Sequence, residues 1–531
     1  TYFDVTPERT PSGVSLTDPF TTVSGSTTVT VTDANGGYIN GDFVTFSGAS
    51  AVGGLTLNGE FQITYSTGNT YTIESSSAAS SSATGGGSVT AKYQINVGPE
   101  FAVPLVGWGA GGWNEGTWGN GAISTDSLRL FSQSNFGEDL IFGPRGASIY
   151  YWDASNGLTT RAVELSSLTG ASNTPTKQNF ILVSDVSRFV FCFGANTLGS
   201  AVQDPMLIRW SDQESAVNWT PAANNQAGDL RLSKGSEIIT ALQSRQEILV
   251  WTDSALYSLQ YVGAPAVWGS QLLGDNVSIA SQNAAVYADD ITYWMGADSF
   301  YLYDGRVKNL PCALKRHVFN DINQEQIEQV FAGTNEGFDE VWWFYPSNSS
   351  STVDKYIVYN YVQQIWYFGS LARSAWLDTG IRQLPVAATY SNNLVTHEDG
   401  VDDNESGTRA AITAFITSGE FDIEDGDRFS FIRRILPDIT FDGSTAESPS
   451  ATLELLPLQS SGSGFNSPAS EGGDSSGTVT RSATVPVEKY TTQVTTRVRG
   501  RQLSIKVQSA DLGVQWQLGA PRLDIRPDGR R

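Results

Sequence analysis

From Glu340 to Gly369 the chain reads EVWWFYPSNSSSTVDKYIVYNYVQQIWYFG, two apolar runs around a polar turn bearing Pro and Ser. In the second run Tyr356, Val358, Val362, Trp366 and Phe368 fall on one side of an extended chain. Ile357, Tyr359, Tyr361, Ile365 and Tyr367 fall on the other. Successive strand residues face opposite ways, so a strand with one wet face alternates apolar and polar. Runs that are apolar on both sides must be covered on both sides. The pattern predicts two strands of a sheet stacked between neighbouring sheets, as in a β-propeller.

Similar runs recur along the chain. With starts at Leu140, Phe189, Ile248, Ile291, Val341 and Val386, the intervals are 49, 59, 43, 50 and 45 residues. Propeller blades repeat at roughly 40–50 residues, and five, six or seven blades fit. One helical stretch is expected from Cys312 into NQEQIEQVF (Asn323–Phe331), and a short turn at DQESAVNW. The texture differs at both ends. YFDVTPERT reads as an extended arm. From Thr21 to Val97, TTVTVTDANGG, DFVTFSG, GEFQITYSTGNTYTIES and SVTAKYQINVG read as short alternating strands between turn dipeptides. They predict a small β-sandwich of immunoglobulin-like type, with Ser75–Ser88 as a flexible loop. After Val401, ITAFITSGEFDI, FSFIRRILPDITF, ATLELLPL and RQLSIKVQS predict a second β unit, whose insert Leu458–Thr478 is a long polar hairpin tip. The expected fold is all-β: an arm over 1–20, an inserted β-sandwich module over 21–98, a β-propeller over 99–400, and a C-terminal β platform domain over 401–531 with its hairpin tip at 458–478.

Composition supports the fold class. Aromatics at 11%, charged residues at 16% and 53 Gly in 531 residues favour a turn-rich β chain over long charged helices. No apolar run approaches the roughly 18 residues of a membrane span, and no signal-peptide pattern opens the sequence, so a soluble protein is expected. The start at Thr1 implies a removed initiator Met or a trimmed N-terminus.

Charge narrows the partners. A net charge of −23 argues against wrapping nucleic acid, which needs basic surface. From Thr484 to Arg531, however, nine Lys or Arg face four Asp or Glu, a local +5 that leaves −28 for the remainder. One reading is an acidic, solubilising surface with a basic tail. The other is a basic docking end for an acidic partner, built from Arg497, Arg499, Arg501, Arg522, Arg526, Arg530 and Arg531. Arginines beside strands also cover apolar edges with their stems.

Candidate chemistry is sparse. His317 and His397 are the two histidines, which limits general-base and metal roles. Cys192 in FVFCF and Cys312 after Pro311 match no metal spacing or disulfide framework and read as buried thiols. Gly107, Gly109 and Gly112 satisfy G-x-G-x-x-G, but more glycine follows where a helix is needed. GWGAGGWNEGTWGNG, with Trp108, Trp113 and Trp118, therefore reads as a connector pinned by indoles. The GDSSG of Gly473–Gly477 has no later His to serve a nucleophile elbow. The carboxylates of His397–Glu405 and Glu420–Asp427 raise the question of a Ca²⁺ or Mg²⁺ site. Their spacing fails the EF-hand loop and favours a solvated acidic turn. WSDQESAVNW (Trp210–Trp219) is similar to the Asp-box turns of sialidase propellers, but it lacks the tight-turn glycine and occurs once. No catalytic residue, cofactor or metal ligand is assigned.

Several segments together resemble the tail nozzle proteins of short-tailed bacteriophages, also called tail tubular or packaged-DNA-stabilising proteins. They are FDVTPERT, the GWGAGGW–TWG connector, IRWSDQESAVNWTP (Ile208–Pro221) and VFNDINQEQIEQVFAGTNEGFDEVWWFYPS (Val318–Ser347). THEDG (Thr396–Gly400), RRILPDITFDG (Arg433–Gly443) and the ending RVRGRQLSIKVQSADLGVQWQLGAPRLDIRPDGRR complete the set. The resemblance spans most of the chain outside Thr21–Val97. It implies a propeller protein of the virion tail, a homo-oligomer with six copies ringing the tail below an adaptor. Together the copies would form the exit channel for double-stranded DNA, without sequence-specific binding, and a platform for fibres or spikes. The implied role is mechanical, with no enzymatic activity and no membrane span. The Thr21–Val97 module departs from the family's minimal pattern and reads as a decoration, a host-binding domain or a fibre-docking site. The alternative reading is a receptor- or glycan-binding adhesin of the virion; a third is an extracellular glycosidase.

Overall fold

In the computed structural model the run over 340–369 is three strands, not two: Glu340–Tyr345, Lys355–Asn360 and Ile365–Ser370. The second run breaks at a turn over 361–364. There the Gln363 N–H donates to Asn360 Oδ1 (2.7 Å), the Gln364 N–H donates to the Asn360 carbonyl (2.8 Å), and Gln364 takes φ 57°. This turn holds no Gly or Pro, so the apolar pattern runs through it unmarked. Val362 and Ile365 accordingly lie in solvent. The first strand is covered as expected, with all six of its residues buried.

The structure describes the chain apart from residues 1, 2, 10, 35, 36, 39, 96, 97, 99, 100, 103–127, 129, 186, 379–382, 423–425, 459–481, 530 and 531. The glycine- and tryptophan-rich connector, the GDSSG motif and nearly all of the 458–478 tip fall outside the described residues.

Five four-stranded antiparallel sheets follow one another, each with its strands in chain order, from Phe131–Phe136 to Ile365–Ser370. They are called blades 1 to 5 below. A hairpin, Ala375–Leu377 with Val386–Ala388, follows blade 5. The second strands are Asp139–Pro144, Val190–Phe193, Ile248–Thr252, Ile291–Met295 and Glu340–Tyr345, then Val386–Ala388. All six starts picked out by hydrophobicity fall at or beside the start of one of these strands. A second strand has a paired neighbour on each side within its blade and another blade against its face, so it carries the least polar sequence.

First strands of successive blades lie side by side. The Ile181 N–H donates to Ser132 Oγ (3.0 Å) and the Val183 N–H to Ser134 Oγ (3.1 Å), so the first strands of blades 1 and 2 advance in the same direction. Asn283 and Phe331 form a parallel bridge at the starts of blades 4 and 5. Parallel first strands and up-and-down blades make this a propeller. Large side chains fill the wedges between blades. Trp251 and Trp294 meet edge to face at 5.4 Å, and Trp343 joins the same core with no exposed surface.

Ahead of the blades, eight strands from Val14–Thr17 to Ser88–Tyr93 form one antiparallel sheet, nearly closed around a core that includes Phe20, Val31, Phe46 and Ile73. The serine-rich stretch expected to be a flexible loop is built into it. Ala83–Gly85 pairs with Phe20–Thr22, Ala79 is 3% exposed, and the Ser80 N–H donates to the Gly53 carbonyl (2.8 Å). Ser80 Oγ also donates to that carbonyl (3.0 Å), and Ser82 Oγ accepts from the Ser24 N–H (2.9 Å). Serine hydrogen bonds and two small alanines, Ala79 and Ala83, hold this segment, so hydrophobic patterning misses it. The arm is fastened as well: Arg161 pairs with Asp4 (2.9 Å) and donates to the Thr6 carbonyl (2.8 Å).

The chain divides into two compact units, Thr1–Tyr390 and Ser391–Arg531, a little ahead of the 400/401 boundary drawn from sequence. In the second unit, a four-stranded sheet and a three-stranded sheet share one core, which includes Ile432, Ile435, Leu453, Leu455, Val498 and Val507. Among the described residues, helix is limited to the short Lys315–Phe319 and a few 3-10 turns. No helix among the described residues is long and apolar enough to cross a membrane.

If two-sided burial holds the blades, Trp343→Ala should lower unfolding stability by about 3–5 kcal/mol. Val362→Ala, at a position the sequence pattern treats as covered, should stay within about 0.5 kcal/mol. Chemical denaturation followed by circular dichroism separates the two.

Candidate interaction face

The three-stranded sheet of the second unit runs in the order Val494–Gly500, Ser430–Leu436, Arg522–Pro527. On the first of these, Val494, Thr496, Val498 and Gly500 are buried while Thr495, Arg497 and Arg499 are exposed, the alternation of a strand with one wet face. On the third, Leu523 and Ile525 pack on the core while Arg522 and Arg526 are exposed. The central strand breaks alternation. Ile432 pairs with Val498 and Ile525, but Arg434 pairs with Thr495 and Asp524, a shift of register centred on Arg433. Such a bulge lets Ile432 and Ile435 both face the core and leaves Arg433 and Arg434 both in water. Phe431 stands between Arg499 and Arg526 in one row, and Leu436 sits opposite Arg522.

The wet face thus carries Arg433, Arg434, Arg497, Arg499, Arg522 and Arg526. Four of the seven docking candidates meet here. Arg501 lies just past the strand end, half-buried, with its guanidinium 5.1 Å from the Phe429 ring centre; Arg499 approaches the same ring at 4.0 Å. Arg530 and Arg531 fall outside the described residues. Arg433 and Arg434 were not among the sequence candidates, because charge was counted along the C-terminal stretch alone. Their signal was present in FSFIRRIL, where two consecutive arginines in an alternating strand leave a bulge as the way to keep both wet.

Two carboxylates share the face. Arg499 pairs with Asp528 (2.6 Å) and Arg526 lies 3.8 Å from Asp524. Arg433, Arg434, Arg497 and Arg522 have no ion-pair partner among the described residues. Six arginines less two carboxylates leave +4. Adjacent strands lie about 4.8 Å apart, so these charges repel across distances shorter than the Debye length. A carboxylate-bearing surface would relieve that repulsion, and guanidinium forks take carboxylates in pairs.

Other chemistry-bearing residues are committed to structure. Among the described residues, no group of three or more His, Cys, Asp and Glu could hold a metal ion. Asp402 accepts from the Gly513 N–H (2.6 Å) and Asp403 from the Glu405 N–H (2.9 Å), so these members of the acidic loop brace turns. The aromatics of WSDQESAVNW are buried, with Trp210 donating to the Gln226 carbonyl (2.8 Å) and Trp219 to that of Ala216 (2.7 Å). His317 packs on Phe368 at 4.3 Å. A cleft of about 240 Å³ on blades 3 and 4 contains Glu247 and Asp290. Glu247 accepts from Ser258, Gln260 and Tyr303, and Asp290 from Arg245 and Tyr287. Both carboxylates are already engaged by protein donors.

No family model matches the chain, and no curated protein matches it. Among solved structures it is similar to Hsv2 of Kluyvelomyces marxianus, with 8% identity and a TM-score of 0.31 over 52% of this chain and 75% of that one. The extracellular domain of a putative one component system from B. thetaiotaomicron matches with 11% identity and a TM-score of 0.33, over 51% of this chain and 32% of that one. The phage phi92 endosialidase matches with 12% identity and a TM-score of 0.19, over 76% of this chain and 59% of that one. Likenesses this distant carry no argument for function. The propeller assignment rests on the strand order and directions above.

Both thiols are shielded. Burial pushes the Cys192 thiol far above its ordinary range, with Arg209 opposing weakly, and pushes Cys312 up to about 11. Thiolate is the reactive form. At pH 8, Cys312 should therefore react with a disulfide reagent more than about a hundredfold slower than a free thiol. Cys192 should react only after unfolding. Thiol titration of native and denatured protein reads both rates.

Proposed function

We propose that this chain is a structural protein of a bacteriophage virion, a tail nozzle subunit that rings the DNA exit channel below an adaptor, retains and then conducts the genome, and supports fibres or spikes. The observation that carries this reading is the six-arginine sheet face, largely without counter-charge, on a chain that is acidic elsewhere. A surface of that kind suits protein–protein assembly. The motif resemblance, from the arm through the blades to the C-terminal strands, supplies the identity of the assembly. A propeller is a stiff wedge, and identical wedges close into rings through heterologous contacts, in keeping with the hexamer the resemblance implies. The excess carboxylates suit a channel through which DNA slides without sticking, because they repel phosphate. The role is mechanical and uses no catalytic residue. The arginine face is the docking surface for an acidic neighbour in the tail.

A short epitope inserted between Leu198 and Gly199, in an exposed loop of blade 2, marks the chain on native particles. Electron microscopy with a labelled antibody fragment should show six labels around an axial channel at the tail. Labels on fibres or spikes away from that axis would overturn the nozzle reading and favour a receptor- or glycan-binding adhesin.

A further inference from the structure

An acidic surface would neutralise the arginine face, and the chain itself offers one. Because first strands run parallel and blades run up and down, the loops joining first to second and third to fourth strands all open on one side of the propeller. At blade 5 and its neighbour these loops hold Asp289, Glu336 and Asp339, all exposed and without an ion-pair partner among the described residues. Their field is felt locally: burial first, then Asp339, Asp289 and Glu336, hold the Tyr361 hydroxyl up at about 12. Beside them Phe338 and Val362 stand 52% and 64% exposed. The arginine face offers the counterpart, with half-buried Phe431 and exposed Leu436 set among its cations. Each surface thus pairs charge of one sign with apolar side chains, and the two signs are opposite.

We propose that the arginine face of one copy docks on the acidic loops of blades 4 and 5 of a second copy. This rests on the ring reading and names the contact within it. The contact is heterologous, so each copy presents one face and one loop surface, and repetition builds a ring when the rotation between copies closes. Guanidinium–carboxylate pairs set the register, and Phe338 and Val362 meet Phe431 and Leu436 at its centre.

The test uses two full-length variants, each folded as judged by circular dichroism. R433E/R497E spoils the face, and D289N/E336K/D339N spoils the loops; Asn suits Asp289 and Asp339, which have φ 48° and 58°. Mass photometry and sedimentation at low salt should show the parent chain associating. Each variant alone should associate about tenfold more weakly or worse, and so should the parent chain in high salt. Mixing the two variants should restore association, but only to pairs, because one good face then meets one good loop surface.

A parent chain that stays monomeric at tens of micromolar would overturn the proposal, as would a mixture that remains monomeric or a loop variant that assembles like the parent. If the face variant alone loses assembly, the arginines meet some other acidic surface and this inference falls while the nozzle reading stands. If the face variant self-associates normally but loses retention on heparin, the occupant is a polyanion. If the epitope labels lie off the tail axis, the nozzle reading falls whatever the variants do.

Discussion

The structure depends on one constraint: the second strands of the blades are covered on both faces. A strand such as Glu340–Tyr345 has no wet side, so its side chains must find partners in two different blades at once. This explains why large aromatics collect there. A wedge between radiating sheets is deep, and Trp251, Trp294 and Trp343 fill it where aliphatic side chains would leave voids. It also explains the directionality used above. Blades packed face to face around one axis keep their first strands parallel, and parallel first strands send every loop of a given type to the same side.

The second unit obeys a different rule. Its three-stranded sheet has one dry and one wet face, and the alternation of Val494, Thr496 and Val498 with Arg497 and Arg499 follows from that alone. The shift of register at Arg433 turns an ordinary wet face into a concentrated one, adding two cations in succession without losing Ile432 or Ile435 from the core. A stable core and a charged surface therefore come from the same eight-letter stretch, FSFIRRIL.

Much of the architecture was legible because two-sided burial leaves a plain mark on sequence. Six starts chosen for hydrophobicity each landed at the second strand of a sheet. Elements held by other means were not legible. The turn after Asn360 is closed by an amide side chain and a positive φ at Gln364, with no glycine to announce it. The 75–88 stretch is held by serine hydroxyls and backbone pairing, which look like disorder when only apolar residues are counted. The arginine face was half legible. Arg497, Arg499, Arg522 and Arg526 emerged from local charge, while Arg433 and Arg434 lie about fifty residues upstream of that stretch and join it only through sheet pairing. Acidic loops of separate blades likewise become one surface only once the blades are stacked.

The central claim is that this chain is a stiff scaffold whose arginine-bearing sheet is a contact surface. Hydrogen–deuterium exchange on the free chain and on the same chain in its native assembly tests it most directly. The account predicts that peptides covering Ser430–Leu436, Val494–Gly500 and Arg522–Pro527 exchange more slowly in the assembly, while the second strands of the blades are equally protected in both states. Unchanged exchange across those three strands, with new protection confined to the Glu247 cleft, would contradict it.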